Sequence, residues 1–186
     1  MSPDHIALLI SLDPVGVTVI GAPLSGATQA AADARLPIMA GCTQSQAAPI
    51  MPLLDAMGRK TMCFGGSGAG AVMKLAVNSL VHAINQTLAE AMTLAEAAGI
   101  APDKAFDVIE NSAAAAPMLT YRRPLYLDEA AHDVTFTVAL ARKDMEVTAR
   151  LAKRLGTSRP QGAVLFVRTV ASGGAGLCQS GHGGDA

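Results

Sequence analysis

The stretch that decides the fold is GGSGAGAVMKLAVNSL, residues 65–80, in which a glycine-rich turn leads into an apolar helix. Glycines let the backbone leave one element and enter the next without a steric penalty. The helix that follows carries Lys74 and Asn78 four residues apart, a spacing that places both side chains on one helix face. The pattern of the whole chain changes at this turn.

Before the turn, helix and strand patterns are short and alternate. Strands are predicted where β-branched and other apolar residues follow one another, and helices where apolar residues recur at helical spacing. The predicted strands are 17–24, 35–42 and 60–64, and the predicted helices are 5–12 and 45–58. Such alternation is typical of an α/β layer, so residues 1–65 are predicted to be an α/β domain.

After the turn, the patterns are helical. Further helices are predicted at 102–112, 136–156 and 161–172. The segment 113–134 contains several prolines and is predicted to be a connection. We predict an all-α domain over residues 66–172, built around one long helix at 70–98, followed by a glycine-rich tail at 173–186 that cannot pack.

Composition excludes several classes of function. The chain has 186 residues, with 14 basic and 15 acidic side chains and a net charge of −1, which gives no attraction to nucleic acid or to an anionic membrane. Three cysteines and four histidines are scattered without metal-ligand spacing, so no metal site and no disulfide scaffold are expected. The long apolar helix is interrupted by ionisable residues, and the N-terminus has no basic region before its apolar run. A cytoplasmic protein without a membrane span is therefore predicted.

The glycines of the turn have two interpretations. Residues 66–71, GSGAGA, fit the G-x-G-x-x-A pattern of a dinucleotide-binding loop. That loop belongs to a unit with a second parallel strand ending in an acidic residue about twenty residues later, where this chain is still helical. A hinge before a core helix therefore fits better.

A polar stripe runs along the helix after the turn. Lys74, Asn78, His82 and Asn85 lie within roughly 80° of one another, at 100° per residue. Burial and the helix N-terminus both favour the neutral amine of Lys74, which could then exchange a proton with an alcohol. Alternatively, the lysine extends to solvent from the helix end and the asparagines bond the backbone.

A second polar motif follows the strand predicted at 17–24. Gly26 would let backbone N–H groups approach an anion, and Ser25 adds a hydroxyl donor, which suits a carboxylate at the carboxyl edge of a sheet. A tight turn that needs glycine explains the same residues equally well.

Together, three stretches resemble the β-hydroxyacid dehydrogenase family, which includes 3-hydroxyisobutyrate dehydrogenase, tartronate semialdehyde reductase and 6-phosphogluconate dehydrogenase. APLSGATQAAADARLPIMAGC, residues 22–42, resembles the substrate motif of that family. GSGAGAVMKLAVN, residues 66–78, matches G-x-G-x-G-x-x-x-K-x-x-x-N at every position. FTVALARKDMEVTARLAKRLG, residues 136–156, resembles the helix that carries a Lys-Asp pair.

The resemblance implies a hydride transfer between NAD or NADP and a small 3-hydroxy acid or semialdehyde. The roles it implies are acid/base catalysis for Lys74, substrate binding for Ser25, Gly26, Ala27 and Asn78, and cofactor binding for Gly68 and Lys143. It implies no metal, and it implies a homo-oligomer formed through the helical domain.

The chain also departs from the family. Gly21 stands where the substrate motif usually has Asp, and Ala27 where it has a second glycine. The N-terminal G-x-G-x-x-G strand–turn–helix has no counterpart, so residues 1–65 resemble the remnant of a Rossmann-type domain. The chain alone is therefore expected to be inactive. The alternative is a non-catalytic helical module for dimerisation, derived from such an enzyme.

Overall fold

The computed structural model of the chain describes residues 3–10, 16–26, 28–128 and 137–174. The chain divides into two compact units, Met1–Asn78 and Ser79–Ala186, and each is described by itself. In order, the elements are α1 (Pro3–Ile10), α2 (Thr28–Ala32), β1 (Leu36–Ala40), α3 (Gln44–Ala47), α4 (Met51–Met57), β2 (Gly58–Cys63), α5 (Ala69–Ala97), α6 (Pro102–Glu110), α7 (Pro117–Leu127), α8 (Val138–Leu155) and α9 (Pro160–Gly174). Most of the predicted tail lies outside the described residues.

The first unit contains a parallel pair of strands. β1 and β2 pair in parallel, with Ile38 opposite Thr61 and Ala40 opposite Cys63. Parallel neighbours need a crossover, and here α3, a 3₁₀ turn at 48–50 and α4 supply it. The strands predicted at 35–42 and 60–64 are thus confirmed, and the small parallel sheet fits the remnant of a Rossmann-type domain.

A third extended segment, residues 21–25, lies on the other side of β1 and runs antiparallel to it. Three backbone bonds join the two: Ser25 N–H to Pro37 O at 3.2 Å, Met39 N–H to Pro23 O at 2.9 Å, and Gly41 N–H to Gly21 O at 2.8 Å. Pro23 and Pro37 have no N–H, so neither can return a bond to its partner. The strand predicted over 17–24 is therefore an extended segment with a single bridge, Leu24 to Ile38, rather than a regular strand.

Two prolines also divide the helix predicted at 45–58. Pro49 lies in the first turn of the 3₁₀ piece and Pro52 in the first turn of α4, where the missing N–H of proline costs nothing. The predicted helix is therefore divided into α3, the 3₁₀ turn and α4. Gly58 ends α4 as predicted, but its backbone is extended. A Cβ on Gly58 would lie 2.5 Å from the carbonyl oxygen of Leu36, so the close pairing of β2 with β1 needs a glycine there.

The described residues of the second unit are mostly helical, and two apolar clusters are found among them. The buried members of the larger cluster are Leu88, Phe106, Met118 and Leu119, contributed by α5, α6 and α7. The smaller cluster joins α8 to α9 through Ala141, Met145 and Leu165, with Ala83 of α5 packed against it. Gly156 ends α8 in the left-handed conformation, with φ of 67°, as the sequence predicts.

The connection predicted over 113–134 is wrong in part, because it contains helix α7. Pro117 occupies the first turn, where it is well tolerated, and the next two residues bury their side chains in the larger cluster. Pro124 lies inside the helix at a cost, which the burial of this face offsets. Residues 129–134 lie outside the described residues.

Candidate functional site

The glycine turn links the end of β2 to the start of α5. Gly65 and Gly68 have φ of +77° and +82°, a conformation that side-chain-bearing residues rarely adopt. Gly65 N–H donates to Cys42 O at 2.9 Å, and Ala69 N–H donates to Gly66 O at 3.1 Å. The turn is thus held both to itself and to the backbone that follows β1.

The start of α5 packs directly on the backbone of β1. A Cβ on Gly70 would lie 2.0 Å from Met39 O, and a Cβ on Gly41 would lie 3.1 Å from both Gly66 O and Gly68 N. By contrast, a Cβ on Gly66 would meet nothing within 4 Å. One side of the motif is therefore filled by the sheet, and the other side is open.

Lys74 and Asn78 follow Gly70 at intervals of four residues and so share its helix face. Both side chains are half-buried, and each makes interactions within the structure. Leu75, the residue after Lys74, is buried and only 5% exposed. The amine of Lys74 and the amide of Asn78 are thus one helical turn apart on α5, whose first turn packs against β1 through Gly70.

The far end of the polar stripe belongs to the helical unit. His82 is buried, and Asn85 accepts a hydrogen bond from the hydroxyl of Tyr126. The Tyr126 ring stacks on Phe106 with 5.9 Å between centroids. Burial raises the pKa of Tyr126, although the nearby Arg122 acts in the opposite direction. Asn85 therefore bonds a core tyrosine, and its role there is structural.

Ser25 and Gly26 form a turn beside the amino end of β1. Ser25 is half-buried, and Gly26 has φ of +134°, with a would-be Cβ 2.5 Å from a methyl of Leu36. The conformation of this turn therefore needs a glycine. The motif follows the carboxyl end of segment 21–25, as predicted, but this segment runs antiparallel to β1 and so places the motif at the amino end of β1. Ala27 lies outside the described residues.

Lys143 lies on α8 in the second unit. Its side chain is 60% exposed, and its Nζ is 3.4 Å from Oδ1 of Asp144, which is far less exposed. The carbonyl of Asp144 also accepts a hydrogen bond from the hydroxyl of Thr148 at 2.6 Å. The Lys143 side chain is thus largely exposed and lies beside the less exposed carboxylate of Asp144.

A polar cluster that sequence reasoning missed lies between α6 and α7. Arg123 bonds Asp107 at 2.7 Å and Glu110 at 2.5 Å, and its guanidinium lies 5.5 Å from the centre of the Phe106 ring. The cluster escaped notice because α7 was interpreted as a connection. These contacts join α6 to α7 within the helical unit.

Two negative findings apply to the described ranges. No helix there is long and apolar enough to cross a membrane. No three side chains among His, Cys, Asp and Glu come close enough there to hold a metal ion.

Comparison with known proteins gives two family matches that together cover most of the chain. Residues 68–180 match the family described as NAD-binding of NADP-dependent 3-hydroxyisobutyrate dehydrogenase. Residues 4–66 match the NAD binding domain of 6-phosphogluconate dehydrogenase.

Individual relatives support the same assignment. The chain is 30% identical over 156 residues to 3-sulfolactaldehyde reductase of Escherichia coli, covering 84% of this chain and 52% of that one. It is 28% identical over 156 residues to glyoxylate/succinic semialdehyde reductase 2 of Arabidopsis thaliana, covering 83% of this chain and 43% of that one. The chain spans about half the length of the curated relatives it matches.

Solved structures agree with the fold. A 3-hydroxyisobutyrate dehydrogenase from Salmonella typhimurium superposes with a TM-score of 0.88 at 25% identity, covering 98% of this chain and 64% of that one. The enzyme of the same name from Mycobacterium tuberculosis superposes with a TM-score of 0.83 at 24% identity, covering 98% of this chain and 65% of that one.

Proposed function

The chain belongs to the β-hydroxyacid dehydrogenase family, of the 3-hydroxyisobutyrate dehydrogenase type, and on that premise we propose that it carries the substrate-binding and acid/base part of an NAD(P)-dependent oxidoreductase. The proposed substrates are small 3-hydroxy acids and the corresponding semialdehydes. The observation that carries the proposal is the position of two half-buried residues, Lys74 and Asn78, four residues apart on the helix face that begins with Gly70, whose backbone packs against β1. An amine held in this way can act as a general acid and base.

Each residue of the site has a proposed chemical task. During oxidation, the neutral amine of Lys74 takes the hydroxyl proton as the carbinol carbon gives up its hydride, and in reduction the ammonium returns that proton to the carbonyl oxygen. The amide of Asn78 orients the reacting oxygen beside Lys74. The hydroxyl of Ser25 and the backbone N–H groups of Gly26 and Ala27 bind the substrate carboxylate.

The cofactor is proposed to approach the open side of the glycine turn. A Cβ at Gly65 or Gly66 would meet nothing within 4 Å, so a ligand could contact the backbone there without a side chain in the way. Gly68 and Lys143 are the proposed cofactor contacts. When bound, NAD or NADP supplies the hydride acceptor or donor of the reaction.

The isolated chain is proposed to be inactive. Residues 66–71 lead into α5, which continues as a helix to Ala97, so they lack the second strand that a dinucleotide-binding unit requires. We propose that residues 1–65 are part of a Rossmann-type domain and that residues 66–172 form a helical domain built around α5. In this view, hydride transfer requires a nucleotide-binding half in addition to the 186 residues.

Exposed leucines on α5 support a proposed homo-oligomer and favour a second candidate function. The side chains of Leu80 and Leu94 are 63% and 74% exposed. Pairing of two chains through the helical domain would cover them. The second candidate is a non-catalytic dimerisation module that has kept the fold and lost the reaction.

The decisive experiment joins the part of the E. coli relative that this chain does not match to the amino end of this chain. Consumption of NADH and NADPH is followed with a panel of small semialdehydes. We expect turnover that Lys74→Ala lowers by about 10²- to 10⁴-fold, the usual contribution of a general acid. The matched control is Lys104→Ala, an exposed lysine of α6, which should leave turnover unchanged.

Two other outcomes would count against the proposal. Equal turnover in the fusion and its Lys74→Ala variant would remove Lys74 from the acid/base role. A folded fusion that binds coenzyme and dimerises, yet reduces no semialdehyde, would favour the dimerisation module. The 186-residue chain is assayed in parallel, and turnover without the added half would refute its proposed inactivity.

A further inference from the structure

Two of the cysteines that look scattered in the sequence lie side by side in the first unit. Cys63 is the last residue of β2 and pairs with Ala40, the last residue of β1. Cys42 follows two residues after Ala40, and its carbonyl accepts the N–H of Gly65 at 2.9 Å. Cys42 therefore lies in the bend that directly follows the end of β1, and Cys63 ends the neighbouring strand.

The packing confirms that the two thiols share one environment. Cys42 is 3% exposed and belongs to a buried cluster with Ala40 and Ala47, and half-buried Cys63 packs against the same cluster. Burial raises the pKa of Cys42, and Cys63 raises it further, both by charge repulsion and through a hydrogen bond between the side chains. Both cysteines are free thiols in the structure.

We propose that Cys42 and Cys63 are a redox-active dithiol, which closes to an intramolecular disulfide when the protein meets a peroxide. The more accessible thiol, Cys63, reacts first: hydrogen peroxide oxidises it to a sulfenic acid and releases one water. The thiol of Cys42 then attacks that sulfur, the S–O bond breaks, and a second water leaves as the disulfide forms. Two electrons pass from the two sulfurs to the peroxide, and an added dithiol reverses the change.

The position of this pair gives the modification a structural consequence. Gly41, between Ala40 and Cys42, is in contact with the backbone of the glycine turn at Gly66 and Gly68. A covalent sulfur–sulfur bond is shorter than a contact between thiols, so its formation draws the backbone after β1 toward β2. The oxidation state of the pair therefore acts on the turn from which α5 begins. The inference does not depend on the proposed dehydrogenase reaction.

Peptide mapping tests the proposal on the full chain. Cys178, outside the described residues, is changed to serine so that only two thiols remain. Trypsin then places Cys42 in the peptide 36–59 and Cys63 in the peptide 61–74. After treatment with hydrogen peroxide and alkylation in denaturant, we expect these two peptides to be linked, with the loss of two hydrogen atoms, and to separate on reduction.

Two results of this experiment would contradict the proposed disulfide. Recovery of the two peptides unlinked, each alkylated or carrying a sulfinic or sulfonic acid, would overturn the proposal. Linkage between two chains instead of within one, detected by gel mobility without reductant, would overturn it as well.

Single variants test the order of the two steps. In Cys42→Ala, the sulfenic acid on Cys63 has no partner and should be trapped by dimedone. In Cys63→Ala, the buried Cys42 should react with iodoacetamide at least about tenfold more slowly than Cys63 does in the reciprocal variant. Faster reaction of Cys42 would contradict the order given above.

Discussion

The glycine motif at the start of α5 contains one glycine whose replacement should damage the fold and one whose replacement should not. Gly70 touches the backbone of β1, since a Cβ there would lie 2.0 Å from Met39 O and 3.1 Å from Gly41 N. An ordinary contact is at least 3.4 Å, so the methyl group of Gly70→Ala is about 1.4 Å too close to the oxygen. Neither neighbour is a flexible side chain, so the helix itself must move.

The cost can be estimated from two opposing effects. Overpacking of a well-packed site costs about 1–3 kcal/mol, and the upper end applies because backbone lies on both sides of the contact. Alanine in a helix is favoured over glycine by about 1 kcal/mol. The net destabilisation expected for Gly70→Ala is therefore about 2 kcal/mol.

Hydrogen exchange measured by mass spectrometry resolves this effect in the first unit. A loss of about 2 kcal/mol should accelerate exchange of the β1 amides, residues 36–40, by about 30-fold. The matched control is Gly66→Ala, because its Cβ would meet nothing within 4 Å and its φ is not positive. That variant should leave exchange in β1 unchanged.

Equal exchange in the two variants would refute the argument. It would mean that the approach of α5 to β1 tolerates a methyl group, and that Gly70 serves some purpose other than packing. Slower exchange in Gly70→Ala would refute it more strongly, since helix propensity would then outweigh the contact.

Three further predictions concern the helical unit. Burial raises the pKa of the Tyr126 hydroxyl, so the folded state keeps the phenol proton at a pH where the unfolded state, with a pKa of 10.0, has lost it. The free energy of unfolding, measured in urea, should therefore fall as pH rises above 10.0, and Tyr126→Phe should remove this fall. Arg123→Met leaves the carboxylate of Glu110, whose side chain is 14% exposed, without its cation, so the melting temperature should drop. The double variant Arg123→Met with Glu110→Gln should recover part of that drop, and an equal drop in the single and double variants would contradict the pairing. Gly156→Ala places a side chain at φ of 67°, at a cost of about 1 kcal/mol in urea unfolding, and Gly156→Asn should cost less because asparagine tolerates that conformation.

Sequence patterns predicted the elements that depend on local periodicity. β1 is a run of apolar residues, β2 ends in Thr, Met and Cys, and α8 has apolar residues on one face over five turns before a glycine, so each could be located without knowing its neighbours. Helix α7 could not be found in this way. Its prolines argue locally against a helix, and only the burial of Met118 and Leu119 against α5 and α6 makes the helix favourable.

The candidate site also has features that local sequence predicts and features that it does not. The spacing of Lys74 and Asn78 on one helix face follows from 3.6 residues per turn, and the family motif could be matched from the residues alone. The direction of segment 21–25 could not be predicted from the residues, because an extended segment has the same sequence pattern whether it runs parallel or antiparallel to its neighbour.

The sequence by itself determined the family, the glycine-to-helix transition and the face that carries the candidate acid/base, because these are properties of consecutive residues. The tertiary structure alone decided which glycine of the motif touches the sheet, where the Ser25 turn lies along β1, and that Cys42 and Cys63 are neighbours. The physical reason is that contacts between residues a dozen or more positions apart depend on strand register and on the path of the connecting chain. Neither is encoded in the local periodicity of side chains.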